Sequence, residues 1–254
     1  MKVICFYTPA YADSANKLIE SGRRFGAEVT AYARPSRGTW WGNVSHKPSV
    51  LHKALTATSE PLLHVDADCE ITGKLDALPA LLGNNDVLMR IRRGGAKEPY
   101  NCGVMLLANN QKVISFLRSW SVIVDRYAYR CETGDQGLLA ITVEMAGLKV
   151  GDLPVEYNTI SSDTSVKPRI VHRKASRENA SLSAWKESRR LETALADVTA
   201  AVMETTAKKH VYIGGPAGLL PPASNNSEVQ AVDRLAKNPL TIAWFSSPVL
   251  RSEE

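Results

Sequence analysis

Two aspartates separated by one residue follow an apolar run near the middle of the chain. The sequence there is LLHVDADCE, residues 62–70, and it contains Asp66 and Asp68. In an extended segment, residues i and i+2 point to the same side, so both carboxylates can face one point beyond the run. Two adjacent carboxylates repel each other unless one is protonated or a cation lies between them. Because Mg²⁺ and Mn²⁺ prefer oxygen ligands, the pair is a candidate site for either ion.

The same pair has two other interpretations. Aspartates commonly end strands and begin turns, and D-x-D also occurs often by chance. A phosphatase of the haloacid dehalogenase type carries D-x-D after a hydrophobic strand as well, with the first Asp as nucleophile. That family usually has the motif on its first strand and a Thr or Val two residues beyond the second Asp. Here the motif lies later and that position is Glu70, so the phosphatase is the minor alternative.

The segments that must position these residues alternate between strand-like and helix-like patterns. Strands are predicted over 2–7, 27–33, 61–67, 86–92, 103–108 and 169–171, and helices over 12–25, 49–58, 78–85, 113–127 and 137–147. The Pro-, Gly- and Trp-rich stretch 34–48 predicts a loop. This alternation predicts an α/β sandwich with a mostly parallel sheet, in which ligands bind at the carboxyl ends of the strands.

Composition and charge set further limits. The 254 residues are 44% hydrophobic and 22% charged, enough for a sizeable core. No stretch approaches about 18 uninterrupted apolar residues, and the start is not typical of a secretory signal. We therefore expect no membrane span and a cytoplasmic location, in a bacterium or a phage-infected host. The net charge of +5 mildly favours an anionic ligand. Four scattered cysteines without a C-x-x-C pair predict free or buried thiols.

Four motifs follow the aspartate pair along the chain. They are Asn101-Cys102-Gly103 before a predicted strand, Asp135-Gln136 at the start of a predicted helix, the segment LPVEYN over 153–158, and His172 in RIVHRKASR. With the D-x-D, their order and spacing over roughly residues 1–175 resemble the nucleotide-sugar glycosyltransferases of the GT-A fold. The resemblance is greatest to the galactosyltransferase and glycogenin-like (GT8-type) group. It implies a GT-A catalytic domain over 1–177, and the Ala- and Glu-rich remainder, 178–254, predicts a mainly helical extension.

The resemblance also implies roles for matching residues. Asp66, Asp68 and His172 would bind Mn²⁺ or Mg²⁺, and Asp135, Gln136 and Asn101 would act at the reacting sugar. A second group would bind the donor: Thr8 and Tyr11 at the nucleoside, Lys47 at the nucleotide, Gly103 beside the sugar and Lys174 at the departing phosphate. The family ending H-x-x-G-x-x-K-P-W is absent, so either Arg173 or Lys174 could supply that cation.

The implied activity is metal-dependent transfer of a sugar from a nucleotide-diphosphate sugar, a UDP-sugar above others, to an acceptor hydroxyl with retention. The acceptor is expected to be a saccharide or a hydroxymethylated base of phage-type DNA. Basic residues near Arg90 and Arg169, and the aromatic residues Trp40, Trp41 and Tyr100, suit either acceptor. A catalytically inactive sugar-nucleotide-binding protein is a further alternative. The sequence leaves the oligomeric state open.

Overall fold

A computed structural model of the chain describes residues 1–92, 99–128, 134–160 and 166–173. All of them belong to one compact unit, Met1–Thr199. The predicted extension over 178–254 and the predicted phosphate ligand Lys174 lie outside the described residues. Within these ranges, no helix is both long enough and apolar enough to cross a membrane.

The described residues form strands and helices in alternation, as the sequence predicts. The strands are β1 (Lys2–Tyr7), β2 (Val29–Ala33), β3 (Leu62–Val65), β4 (Cys69–Ile71), β5 (Val87–Ile91), β6 (Tyr100–Leu107), β7 (Val150–Asp152), β8 (Thr159–Ile160) and β9 (Ile170–His172). The helices are α1 (Ala12–Arg24), α2 (Trp40–Val44), α3 (His46–Thr56), α4 (Leu78–Leu82), α5 (Gln111–Tyr127) and α6 (Asp135–Met145).

The main sheet has the strand order β2-β1-β3-β6-β5-β7. β1 pairs in parallel with β2 and β3, and β5 pairs in parallel with β7. β6 runs antiparallel between β3 and β5, so the sheet is mostly parallel, as predicted, with one reversed strand. The reversal places the start of β6 next to the end of β3. The sequence around Asn101 therefore comes to the edge at which Asp66 and Asp68 lie.

The core explains why β3 is a central strand. All four residues of β3 are buried, which is typical of a strand covered on both faces. Leu63 and Val65 pack in a core cluster with Leu18 of α1 and Leu78 of α4. Leu62 and His64 point to the opposite face because successive side chains alternate along a strand.

A smaller sheet, β4-β9-β8, carries the chain back to the end of β3. β4 pairs antiparallel with β9, and Cys69 is the partner of His172 in that register. Since Cys69 follows Asp68 directly, this pairing brings a histidine from 104 positions further along the chain next to the second aspartate.

The predicted loop over 34–48 was wrong in part. It contains α2 and the first turn of α3, although its Gly and Pro content disfavours a helix. Thr39 caps α2 by accepting a hydrogen bond from the Gly42 N–H through its side-chain oxygen. Trp41 is buried, with 4% of its surface exposed. Capping and tertiary packing therefore outweigh local propensity here.

Candidate active site

A cleft of about 310 Å³ opens at the carboxyl ends of β1 and β3. The first turns of α2, α3 and α6 and the end of β9 complete its wall. Of the residues predicted for the site, the cleft is lined by Thr8, Tyr11, Lys47, Asp66, Asp68, Asp135, Gln136 and His172. The edge of the sheet thus gathers side chains from five separate parts of the chain.

Asp68 and His172 form one pair in the cleft. Asp68 Oδ1 and His172 Nε2 are 3.2 Å apart. One ligand atom each from Asp68, Cys69 and His172 lies within 4.8 Å of the others. A carboxylate oxygen and an imidazole nitrogen suit Mn²⁺ or Mg²⁺, whereas the Cys69 thiol is a soft ligand that suits zinc better. Burial raises the pKa of that thiol well above its usual value, so Asp68 and His172 are the pair that fits the predicted ion.

Asp66 has different partners from Asp68. Its Oδ1 lies 3.1 Å from Lys47 Nζ and 3.0 Å from His64 Nε2. Lys47 Nζ is also 3.1 Å from Asp135 Oδ2, so one ammonium bridges the end of β3 and the start of α6. The Lys47 side chain is only 6% exposed. A buried ammonium needs such partners, because transferring an unpaired charge from water is very costly.

The charges in this cluster act on one another. Burial alone would lower the pKa of Lys47, but Asp135 and Asp66 hold it well above its usual value and keep the ammonium charged. Burial would raise the pKa of Asp66, but Lys47 and the His64 hydrogen bond hold it well below the usual range. For Asp135, burial is the larger effect and raises the pKa even beside Lys47. The cluster therefore holds a fixed carboxylate at Asp66 and a more basic carboxyl at Asp135.

Asn101 and Gly103 lie directly behind the cleft. Asn101 Oδ1 accepts hydrogen bonds from the Gly103 N–H at 2.8 Å and from Asn158 Nδ2 at 3.3 Å. The Gly103 carbonyl in turn accepts from the Asp66 N–H at 2.8 Å. A Cβ on Gly103 would lie 2.9 Å from the His172 ring, which is closer than real Cβ contacts. Glycine at 103 thus leaves the space that the His172 imidazole occupies.

The structure adds cleft residues that the sequence did not assign. Cys102 lines the cleft, with its Sγ 3.3 Å from Lys47 Nζ and 3.6 Å from Asp135 Oδ2. Phe6 and Asn43 line it as well, and so does Trp40, which the sequence offered only for the acceptor. Cys102 could have been found in the sequence, since it lies between two predicted site residues. No motif marks Asn43, because α2 itself was not predicted.

The predicted cation for a departing phosphate is either Arg173 or Lys174. Arg173, one of the two candidates, donates through Nε to Glu70 Oε2 at 3.0 Å. That ion pair directs its guanidinium to β4. Lys174, the other candidate, is outside the described ranges.

Three solved structures of known proteins are similar to this architecture. The glycosyltransferase GlyE of Streptococcus pneumoniae TIGR4 matches with a TM-score of 0.52 and 16% identity, over 78% of this chain and 64% of GlyE. A glycosyltransferase involved in glycosylation of the major capsid of PBCV-1 matches with a TM-score of 0.54 and 12% identity, over 75% of this chain and 100% of that protein. An active-site mutant of LgtC matches with a TM-score of 0.50 and 13% identity, over 74% of this chain and 94% of LgtC.

The likeness is one of structure. No protein-family model matches the sequence, and no curated protein matches it. The chain spans only 64% of the length of GlyE, and the identities stay below 20%. The predicted architecture is confirmed: the chain has the GT-A fold of the nucleotide-sugar glycosyltransferases.

Proposed function

We propose that this protein is a metal-dependent glycosyltransferase that moves a sugar from a nucleotide-diphosphate sugar to an acceptor hydroxyl. The observation that carries the proposal is the convergence in one cleft of the Asp68–His172 pair and the Lys47–Asp135 pair. The first pair can hold a divalent ion at the donor diphosphate. The second pair lies where α6 begins, next to Gln136. In this arrangement one end of the cleft would bind the departing diphosphate and the other end would bind the sugar.

Asp66, Asp68 and His172 are the proposed ligands of Mn²⁺ or Mg²⁺. When bound, the ion would stabilise the negative charge that develops on the departing diphosphate. Asp68 offers an oxygen and His172 offers Nε2, and the two atoms already face each other at 3.2 Å. The contact between them places both side chains at the cleft, and an ion would bind in its place once Nε2 has lost its hydrogen.

The reaction breaks the bond between the anomeric carbon and the phosphate oxygen and forms one from that carbon to the acceptor oxygen. The acceptor proton leaves on the departing phosphate if attack occurs on the same face, which gives the retention expected from the resemblance. Asp135 and Gln136 would hydrogen-bond the sugar hydroxyls and orient the reacting face. Lys47 would fix Asp135 against the end of β3. Its ammonium also opposes the negative charge that the carboxylates bring to the cleft.

The nucleoside would occupy the end of the cleft formed by the loop after β1. Thr8 and Tyr11 line that end, with Phe6 and Tyr7 beside them. An aromatic ring there can stack on a base and thereby hold the donor by an apolar contact. We propose a UDP-sugar as donor and a saccharide as the first acceptor to test. The solved structures named above are of glycosyltransferases, one of them involved in the glycosylation of the major capsid of PBCV-1, which is consistent with sugar transfer.

Asp68→Asn tests the proposal, because the amide keeps the size of the carboxylate and loses its charge. The wild type should show a Mn²⁺-dependent rise in Tm with a UDP-sugar and slow hydrolysis of it. The variant should lose at least about 100-fold of that hydrolysis, equivalent to roughly 3 kcal/mol of transition-state stabilisation. Asp76→Asn is the matched control, since Asp76 is exposed and does not line this cleft.

Hydrolysis that Asp68→Asn leaves unchanged would refute a metal role for the aspartate pair. A wild type with no response to UDP-, GDP-, ADP- or CMP-sugars would refute the glycosyltransferase proposal itself. Binding of a donor without hydrolysis or transfer would instead favour the inactive sugar-nucleotide-binding protein.

A further inference from the structure

One buried histidine next to the site has no assigned role. His64 is the third residue of β3, where the other three residues are leucine or valine. It has no exposed surface. Its ring stacks on Phe6, with centroids 6.3 Å apart and an interplanar angle of 21°. The position is therefore an apolar one by its surroundings, and an apolar side chain would be expected there.

The histidine makes one polar side-chain contact of clear geometry. His64 Nε2 is 3.0 Å from Asp66 Oδ1. Since a carboxylate has no hydrogen to give, Nε2 must carry the hydrogen and donate it. His64 and Asp66 are two residues apart in an extended segment, so their side chains point to the same face of the sheet.

The other ring nitrogen is left unsatisfied. His64 Nδ1 is buried and has no hydrogen-bond partner among the described residues. A buried polar atom without a partner costs about 1–3 kcal/mol. A leucine, like those at 62 and 63, would avoid that cost. The presence of a histidine at this position is therefore explained by the hydrogen bond that its Nε2 donates to Asp66.

The two donors on Asp66 meet the same atom. Lys47 Nζ also binds Oδ1, at 3.1 Å. The terminal torsion of an aspartate is broad and would otherwise let the carboxylate rotate. Two donors at one oxygen restrict that rotation, so the Asp66 carboxylate has a defined orientation at the cleft that it lines.

We propose that His64 is a positioning residue that fixes the Asp66 carboxylate in the orientation required to bind the divalent ion. The inference rests on the proposed function, in which Asp66 is a metal ligand. It adds a residue that acts through Asp66 and touches neither metal nor substrate. Residues that hydrogen-bond to metal ligands typically change metal affinity by about 10–100-fold when replaced.

Three substitutions separate the hydrogen bond from the packing. His64→Gln places an amide nitrogen near the position of Nε2 and keeps a donor. His64→Phe keeps the ring and the stacking on Phe6 but has no donor. His64→Asn has a donor that is too short to reach Asp66. His52→Phe is the matched control, because His52 is a partly exposed histidine on α3 that does not line the cleft.

The measurement is Mn²⁺ affinity of the full chain without any donor, followed by the electron paramagnetic resonance signal of free Mn²⁺, with Tm recorded for each protein. The Gln variant and the His52→Phe control should bind Mn²⁺ like the wild type. The Phe and Asn variants should bind about 10-fold more weakly or worse.

The outcomes distinguish the two proposals. If the wild type binds Mn²⁺ and the Phe variant binds it with equal affinity, the role of His64 is overturned and the proposed function stays intact. Wild type that binds no Mn²⁺, alone or with UDP, would overturn both. Equal weakening in all three His64 variants would show a packing role. Unfolding of the Phe and Asn variants while the Gln variant folds would show that the hydrogen bond to Asp66 serves stability. Either result would overturn the inference.

Discussion

At the scale of single residues, Lys47 determines the charge balance of the cleft. Its ammonium lies 3.1 Å from a carboxylate oxygen of Asp66 and 3.1 Å from one of Asp135. One positive charge thus compensates the buried carboxylate of Asp135 and the partly buried carboxylate of Asp66. His64 adds a hydrogen bond to Asp66. The resemblance assigns Lys47 to the nucleotide, and the cleft lining is consistent with that role. The structure gives the residue a second task, that of holding two elements together.

Lys47→Met should destabilise the protein by about 3–5 kcal/mol, because two carboxylates lose the charge that compensates them in a largely buried place. Urea denaturation followed by circular dichroism measures the free energy of unfolding. Adding Asp135→Asn to Lys47→Met should recover part of the loss, with a coupling of about 0.5–3 kcal/mol between the two positions.

Lys53→Met is the control for this pair, since Lys53 is an exposed lysine of the same helix. A Lys47 variant as stable as the Lys53 variant would mean that solvent, not the ammonium, compensates the carboxylates. The bridge described for the cleft would then have no energetic weight.

At the scale of elements, the start of α6 positions Asp135 and Gln136, the proposed sugar end of the site. Gly134 precedes Asp135 and has φ +60°, a left-handed conformation that glycine adopts without strain. A Cβ at this residue would also lie 2.8 Å from the Trp40 ring and 2.9 Å from Val44 Cγ2. Helix α2 therefore packs directly on the turn that places Asp135 and Gln136.

Gly134→Ala should lower both stability and donor hydrolysis, and Gly147→Ala should lower stability alone. Gly147 has φ +59°, nearly the same as Gly134, but nothing lies within 4 Å of the position of its Cβ. The positive φ is unfavourable for an alanine at both positions, by about 1 kcal/mol or more. Only at 134 does the overlap with Trp40 add to this and displace the first turn of α6.

Denaturation and UDP-sugar hydrolysis of the two variants, measured side by side, check this expectation. Equal losses of stability with unchanged hydrolysis in both would show that α2 yields to the added methyl group. The contact between α2 and α6 would then not position the site.

At the scale of the whole molecule, the charge of +5 bears on the acceptor. Two of the arginines predicted for a basic cluster have partners inside the fold. Arg169 donates to the Lys74 carbonyl at 2.9 Å and lies over the Tyr157 ring, and Arg173 pairs with Glu70. Of the three aromatic residues considered for a flipped base, Trp41 is buried and only Trp40 lines the cleft. Among the described residues, these features favour a saccharide over DNA.

We therefore expect weak and salt-sensitive binding to duplex DNA. Fluorescence anisotropy of a labelled duplex at about 50 and about 200 mM salt measures it, because phosphate contacts lose affinity steeply over this range. Any binding at the lower salt should vanish at the higher. Tight binding that persists at the higher salt would instead support a modified DNA base as the acceptor, with the same catalytic cleft.

The sequence predicted the fold more completely than it predicted the contacts within the site. The hydrophobic periodicities of β1, β3 and α5 are strong and local, and their positions were predicted within a few residues. The loop predicted over 34–48 was wrong in part, because α2 is stabilised by the burial of Trp41 and not by its own propensities. The i, i+2 rule was applied to Asp66 and Asp68, but β3 ends at Val65 and residues 67–68 form a turn, so Asp66 does not join the group of Asp68 and His172. The same rule applies better to His64 and Asp66, and His64 was missed. A histidine within an apolar run was the available signal.

The sequence by itself determined the alternation of elements and the D-x-D at the end of a strand, because period and turn chemistry are properties of short segments. Only the tertiary structure decided which partners each aspartate has. Asp68 meets His172 through the β4–β9 register, and Asp66 meets Lys47 and His64. Such pairings depend on the packing of segments that lie far apart in the chain. Two residues of the same type and two positions apart can therefore have different tasks.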